Sequence, residues 1–254
     1  MIIPQSSLSG TVPRMSRRQQ FLDVLNDIAI IFPVFLIIFT WRGFVQALIA
    51  RIMGDRTAQH DGQLTLNPLA HVDLTGLVVI MVVFFVLGGL LGDMLPRALL
   101  LIVLIVLGVR WTHPVTIDDR QFKHHRLGGI MTSLSGSLAN FLLAFMGAGL
   151  MRLCMSEALP MYAIVSLIKI LQTLIDVALF FGVLDLIPVP PFDGGRVLRY
   201  VLPYSAQSVL DWLENYSFII FLILFFVPVI SDIFLGSIFI FVMSIKKMML
   251  SVFF

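Results

Sequence analysis

Most of this chain consists of apolar runs too long for the core of a water-soluble domain. They cover residues 26–53, 77–109, 130–151, 161–187 and 217–243. A helix needs about 20 mostly apolar residues to cross the hydrocarbon of a bilayer, and in lipid it must satisfy its own backbone polar groups. The runs predict five spans, or six if Gly92-Asp93-Met94-Leu95-Pro96-Arg97 divides the second. Composition agrees. The chain is 59% hydrophobic and 13% charged, against roughly 45–50% and about 25% in soluble domains, and its mean hydropathy is +1.00. The expected fold class is an all-α, polytopic helical bundle that crosses the membrane several times (the inner membrane, if the source is bacterial).

Between the runs the chain breaks in distinct ways. Residues 1–25 form a polar segment with Arg14, Arg17 and Arg18 and no cleavable signal pattern, and 26–254 read as a single transmembrane domain. Residues 56–76 are polar and interrupted by Gly62 and Pro68, yet Gln63-Leu64-Thr65-Leu66 alternates as a strand would. That segment is a short β-like hairpin or a loop at the membrane rim. The loop 110–128 carries Arg110, Asp118, Asp119, Arg120, Lys123 and Arg126, so it lies in water or among headgroups. Residues 203–216 mix polar and apolar and suit the interface. Lys and Arg fall on both sides in similar numbers, which gives only a slight preference for a cytosolic N-terminus. The net charge of +2 points away from nucleic acid, and Cys154, the sole cysteine, has no disulfide partner within the chain.

Three segments carry a resemblance. The first is Met53-Gly54-Asp55-Arg56-Thr57-Ala58 with Gly62-Gln63-Leu64-Thr65-Leu66-Asn67-Pro68-Leu69-Ala70-His71-Val72-Asp73. The second is Trp111-Thr112-His113-Pro114-Val115 with Ser135-Gly136-Ser137-Leu138-Ala139-Asn140. The third is Asp185-Leu186-Ile187-Pro188-Val189-Pro190-Pro191-Phe192-Asp193-Gly194-Gly195-Arg196. In order and spacing they resemble the site-2 proteases, a family of intramembrane zinc metalloproteases, across residues 40–200.

That resemblance implies a metal site this chain does not spell. The family's H-E-x-x-H falls on Arg42, Gly43, Phe44, Val45 and Gln46. In the motif two His one turn apart hold zinc and the Glu takes a proton from the metal-bound water. Arg has no lone pair to give, Gly has no side chain, and a Gln amide is a poor substitute for imidazole. By resemblance Asp193 is the one retained ligand. Ser137 stands where the family has Pro, and Asp185 where it has Asn. No catalytic residue and no cofactor is therefore expected; zinc belongs to the alternative reading.

A charged residue deep in a membrane helix costs roughly 3 kcal/mol or more unless paired or hydrated. The family fold would set Arg42 opposite Asp193, so the guanidinium is expected to replace the lost metal charge. Its planar fork would bind the carboxylate at two points, helped by Gln46, Asn140 or Asp185. The rival reading is that Arg42 snorkels to water. Lys169 and Asp176, seven residues apart on one apolar helix, pair with each other or with polar groups of the bundle, or else mark an ion pathway. Ser133, Ser135 and Ser137 read as small residues at a helix interface rather than nucleophiles. His60, His71, His113, His124 and His125 read as surface or capping histidines, or as an opportunistic metal site.

Three functions follow. The first is a catalytically inactive pseudoprotease that binds transmembrane segments of partner proteins within the lipid bilayer. The second is an active intramembrane zinc metalloprotease. The third is a transport or binding protein that reuses the fold.

Overall fold

The computed structural model describes residues 17–71, 114–156, 161–190 and 192–254. Among these, four helices are long and apolar enough to cross a membrane, and no strand is present. They belong to α1 (Arg17–Met53), α3 (His125–Ser156), α4 (Met161–Asp185) and α8 (Pro228–Leu250). Three short helices complete the C-terminal half: α5 (Asp193–Val201), α6 (Gln207–Asn215) and α7 (Ser217–Phe226); a single helical turn, α2 (Thr57–His60), follows α1. The run 77–109 lies outside the described residues, as do residues 1–16 and Trp111-Thr112-His113.

The core lies between α1, α3 and α4, where apolar faces meet without water to drive them together. Close approach of helices then depends on small residues. Ala144 and Ala148 of α3 are fully buried beside Ile175 and Ala178 of α4. A Cβ on Gly147 would sit 3.2 Å from Cγ1 of Ile175. From α1, Val34 and Ile38 complete this layer, and Phe181 meets the rings of Phe35 and Phe39 at centroid distances of 5.8 and 5.3 Å. Helix α8 packs on the outside of α4 and buries Ile238, Val242 and Met249.

One element differs from expectation, and a second takes one of the two forms expected of it. Residues 217–243 do not form one span. The helix stops at Phe226 and restarts at Pro228, with Val227 extended (φ −82°, ψ 113°) between them. Proline excludes its predecessor from the helical region and has no N–H of its own. The helix long and apolar enough to cross is α8, and it runs past Lys246 and Lys247. The segment after α1 is a rim loop rather than a hairpin. Gly54, at φ +117°, ends α1, and the Asp55 N–H returns to the Ala50 carbonyl. Gly62 (φ +73°) and the 3-10 turn Pro68–Ala70 then bend the chain too often for a strand.

What pairs with this loop is a second rim segment, residues 114–124, and side chains make the junction. Asp55 is fully buried and accepts from the N–H of Thr57 and of Asp118, both at 2.8 Å. The Gln63 amide donates to the Pro114 carbonyl (3.2 Å) and accepts from the Thr116 N–H (2.8 Å). One carboxylate and one amide thus do what a two-stranded ladder would have done.

Candidate functional site

Arg42 lies about three turns before the end of α1, facing α3 and the α4–α5 connection. Its Nη2 donates to Oδ2 of Asp193 at 2.6 Å, and its Nε lies 3.0 Å from Oδ2 of Asp185. The second contact is an ion pair without hydrogen-bond alignment, since neither atom has a hydrogen-bond partner. The side chains are 21%, 6% and 11% exposed in the order Arg42, Asp193, Asp185, so the cluster is enclosed and weakly screened. Arg42 thus spans two carboxylates, where the sequence suggested two-point binding of one. Among these three groups the formal charge is −1.

Local backbone features hold the carboxylates there. Asp185 is the last residue of α4, and Asp193 sits in the first turn of α5, where the helix dipole favours an anion. Between them the chain turns through Pro188 and Pro190. A Cβ on Gly194 would lie 2.4 Å from the Leu186 carbonyl oxygen, and one on Gly195 2.5 Å from the Pro190 nitrogen. Only glycines allow α5 to begin this close to the turn. Opposite, a Cβ on Gly136 of α3 would sit 2.8 Å from Asp193 Oδ2 and 3.0 Å from Arg42 Nε. The wall of the site on that side is bare backbone.

Gln46 and Asn140 do not join the ion cluster. Gln46 donates to the Thr132 carbonyl at 3.4 Å, a weak tie between α1 and α3. Asn140 is fully buried, with neither amide atom hydrogen-bonded. Trp41 donates from Nε1 to the Ala139 carbonyl (2.9 Å), so α1 and α3 are bound on both sides of Arg42. Ser133, Ser135 and Ser137 are buried along this helix contact, and Ser135 Oγ donates to the Thr132 carbonyl, as an interface residue would.

His71 corrects an expectation. It is 2% exposed, not a surface residue. Its Nε2 lies 2.8 Å from the Thr65 carbonyl oxygen. A carbonyl can only accept, so Nε2 carries a proton. Nδ1 is buried and has no hydrogen-bond partner. A Cβ on Gly43 would sit 2.3 Å from it. The imidazole therefore fills the space into which any side chain at position 43 would project. The one sequence signal was the glycine itself, since a missing side chain in a packed helix must be filled from elsewhere. His60, His124 and His125 are exposed, and His113 is outside the described residues.

Away from the cluster, Asp176 pairs with Nζ of Lys246 on α8 at 2.5 Å, not with Lys169. Helix α5 is tied down twice. The Tyr200 hydroxyl donates to Asp119 at 2.7 Å, and Arg199 bonds Asp211 and Glu214 of α6. Burial first, and the Asp119 bond second, raise the Tyr200 phenol above its ordinary range. At the rim, the Gln121 amide and then the Arg120 N–H hold Asp118 below the usual carboxylate range.

These residues do not suit zinc. A catalytic site needs three protein ligands with lone pairs; the helix offers Arg42 and Gln46, and Arg42 already occupies the carboxylates. Among the described residues, no three His, Cys, Asp or Glu side chains are grouped to hold a metal ion.

The chain is 31% identical over 195 residues to the protein named "Putative zinc metalloprotease YwhC" of Bacillus subtilis (strain 168), which covers 76% of this chain and 78% of the relative. No protein-family model matches it, and no solved structure does.

Proposed function

This chain belongs to the metalloprotease family of YwhC, and from that premise we propose that it is a site-2-protease-like membrane protein that no longer cleaves peptides and instead binds transmembrane segments of partner proteins. One observation carries the reading. A guanidinium sits between Asp185 and Asp193, where a metal would have to supply positive charge. The space at the general-base position supports it, because the His71 ring fills it. Lost ligands together with a kept scaffold are what binding without hydrolysis requires.

Metal content tests this. The protein is purified in detergent and washed with a weak chelator, wild type beside Asp193→Ala. Neither should hold stoichiometric zinc. Zinc in the wild type that is lost in the variant would overturn the reading in favour of an active intramembrane zinc metalloprotease. Partner binding is tested by a photo-crosslinking residue at Leu138, which is 58% exposed two residues from Gly136. It should capture transmembrane peptides in proteoliposomes; capture of lipid alone counts against the proposal.

A further inference from the structure

Helix α6 has two unlike faces. Its acidic side is neutralised from within the protein. Arg199 of α5 donates to Asp211 at 2.8 Å and to both oxygens of Glu214 at 2.8 and 2.5 Å. Leu210, 2% exposed, anchors the helix on the body of the protein. The remaining face carries Val209, Trp212 and Tyr216, at helical spacings of three and four, and these are 59%, 56% and 45% exposed. The Trp212 and Tyr216 rings lie 4.9 Å apart, and Tyr204, in the turn before α6, is 92% exposed.

We propose that this face lies in the headgroup zone of the bilayer, and that seating α6 there steadies Asp193 through α5. Two observations choose lipid over a soluble partner. The stripe leads directly into α7, which is apolar after Ser217, and then past Val227 into α8, a candidate membrane span, so its end is already at the membrane. Its chemistry is that of an interface, because Trp and Tyr pair an apolar ring with a polar atom and gather where oil meets water. Helix α6 contains no Lys or Arg, so the attraction is to the amphipathic zone and not to anionic headgroups. The link to the site is short. Arg199, which grips α6, lies on the nine-residue helix whose first residue is Asp193, and Tyr200 pins the same helix to Asp119.

The test uses the full chain in phosphatidylcholine nanodiscs. Tryptophan emission of Trp212→Phe is subtracted from that of the wild type to isolate Trp212. That component should be quenched by phosphatidylcholine brominated near the headgroup, be protected from aqueous acrylamide, and stay unchanged when part of the lipid is made anionic. Full acrylamide quenching with no effect of bromolipid would overturn the proposal. So would protection that appears only with added protein or at high protein density, which would mean a protein covers the face. Hydrogen exchange over residues 193–201 tests the coupling. Trp212→Asp should speed exchange there while Trp212→Phe leaves it unchanged. Equal exchange in both variants and the wild type would refute the steadying role.

Discussion

Replacing Arg42 with Ala is the most demanding test of the site, because it removes the one cation from a cluster of two carboxylates. With Asp193 and Asp185 only 6% and 11% exposed, neither can recover its hydration without local unfolding. Breaking a buried pair by deleting one partner costs about 3–5 kcal/mol, or on the order of a hundredfold or more in the unfolding equilibrium. The cluster's formal charge of −1 sets a second expectation. Asp193→Asn leaves Arg42 balanced against Asp185 and should cost clearly less, about 1–2 kcal/mol. Removing all three charges, as Arg42→Met with Asp185→Asn and Asp193→Asn, should recover most of the loss, since an uncharged replacement of a buried ion cluster is often neutral. The assay is equilibrium unfolding in mixed micelles with increasing dodecyl sulfate. Arg42→Ala within about 1 kcal/mol of the wild type, or Asp193→Asn as damaging as Arg42→Ala, would refute the buried-cluster reasoning.

Gly43→Ala should destabilise by about 1–3 kcal/mol through overpacking against His71 despite alanine's better helix propensity; adding His71→Ala should recover part of the loss, and an additive double variant would show that the two do not touch. Lys246→Met should cost about 2.5–3.5 kcal/mol in a bilayer, because it strands Asp176 within a span; a loss near zero in nanodisc melting curves would place the pair in water. Asp118 has a folded pKa below its ordinary value, so its stabilisation of the rim is present above about pH 4 and is lost as pH falls through the folded value. Hydrogen exchange over residues 114–124, corrected for intrinsic rates, should rise on acidification in the wild type and not in Asp118→Asn. Tyr200 is raised, so its contribution is complete below about pH 10 and is lost only above that; Tyr200→Phe should cost about 1 kcal/mol at neutral pH, read in the same micelle assay.

The spans were legible because lipid imposes a single crude requirement, a long apolar run, and α1, α3 and α4 meet it at the expected places. The end of the chain misled for a local reason. Pro228 is apolar and does not interrupt a hydropathy run, yet it stops a helix at Phe226. The Arg42–Asp193 contact could be inferred through resemblance, since nothing in the sequence alone relates residues 151 positions apart. Asp185 is expected only among the helpers, yet it is the second carboxylate on the guanidinium, paired at 3.0 Å without a hydrogen bond. Gln46 went to a backbone carbonyl, and such acceptors leave no mark in a sequence. A loop histidine usually reads as a surface or capping residue; the burial of His71 depends on the hollow that Gly43 leaves on a different element.

The way Gln63 holds the second rim segment has a consequence for any guest. Along an extended chain, groups on one edge belong to alternate residues, and here that edge is spoken for: the Pro114 carbonyl and the Thr116 N–H by Gln63, and the Asp118 N–H by Asp55. Cutting a membrane helix first requires unwinding it, because its carbonyls are tied up in its own turns, and an unwound strand needs somewhere to place its backbone. An unwound strand laid along this edge would meet the Pro114 carbonyl and the Thr116 and Asp118 N–H groups already taken.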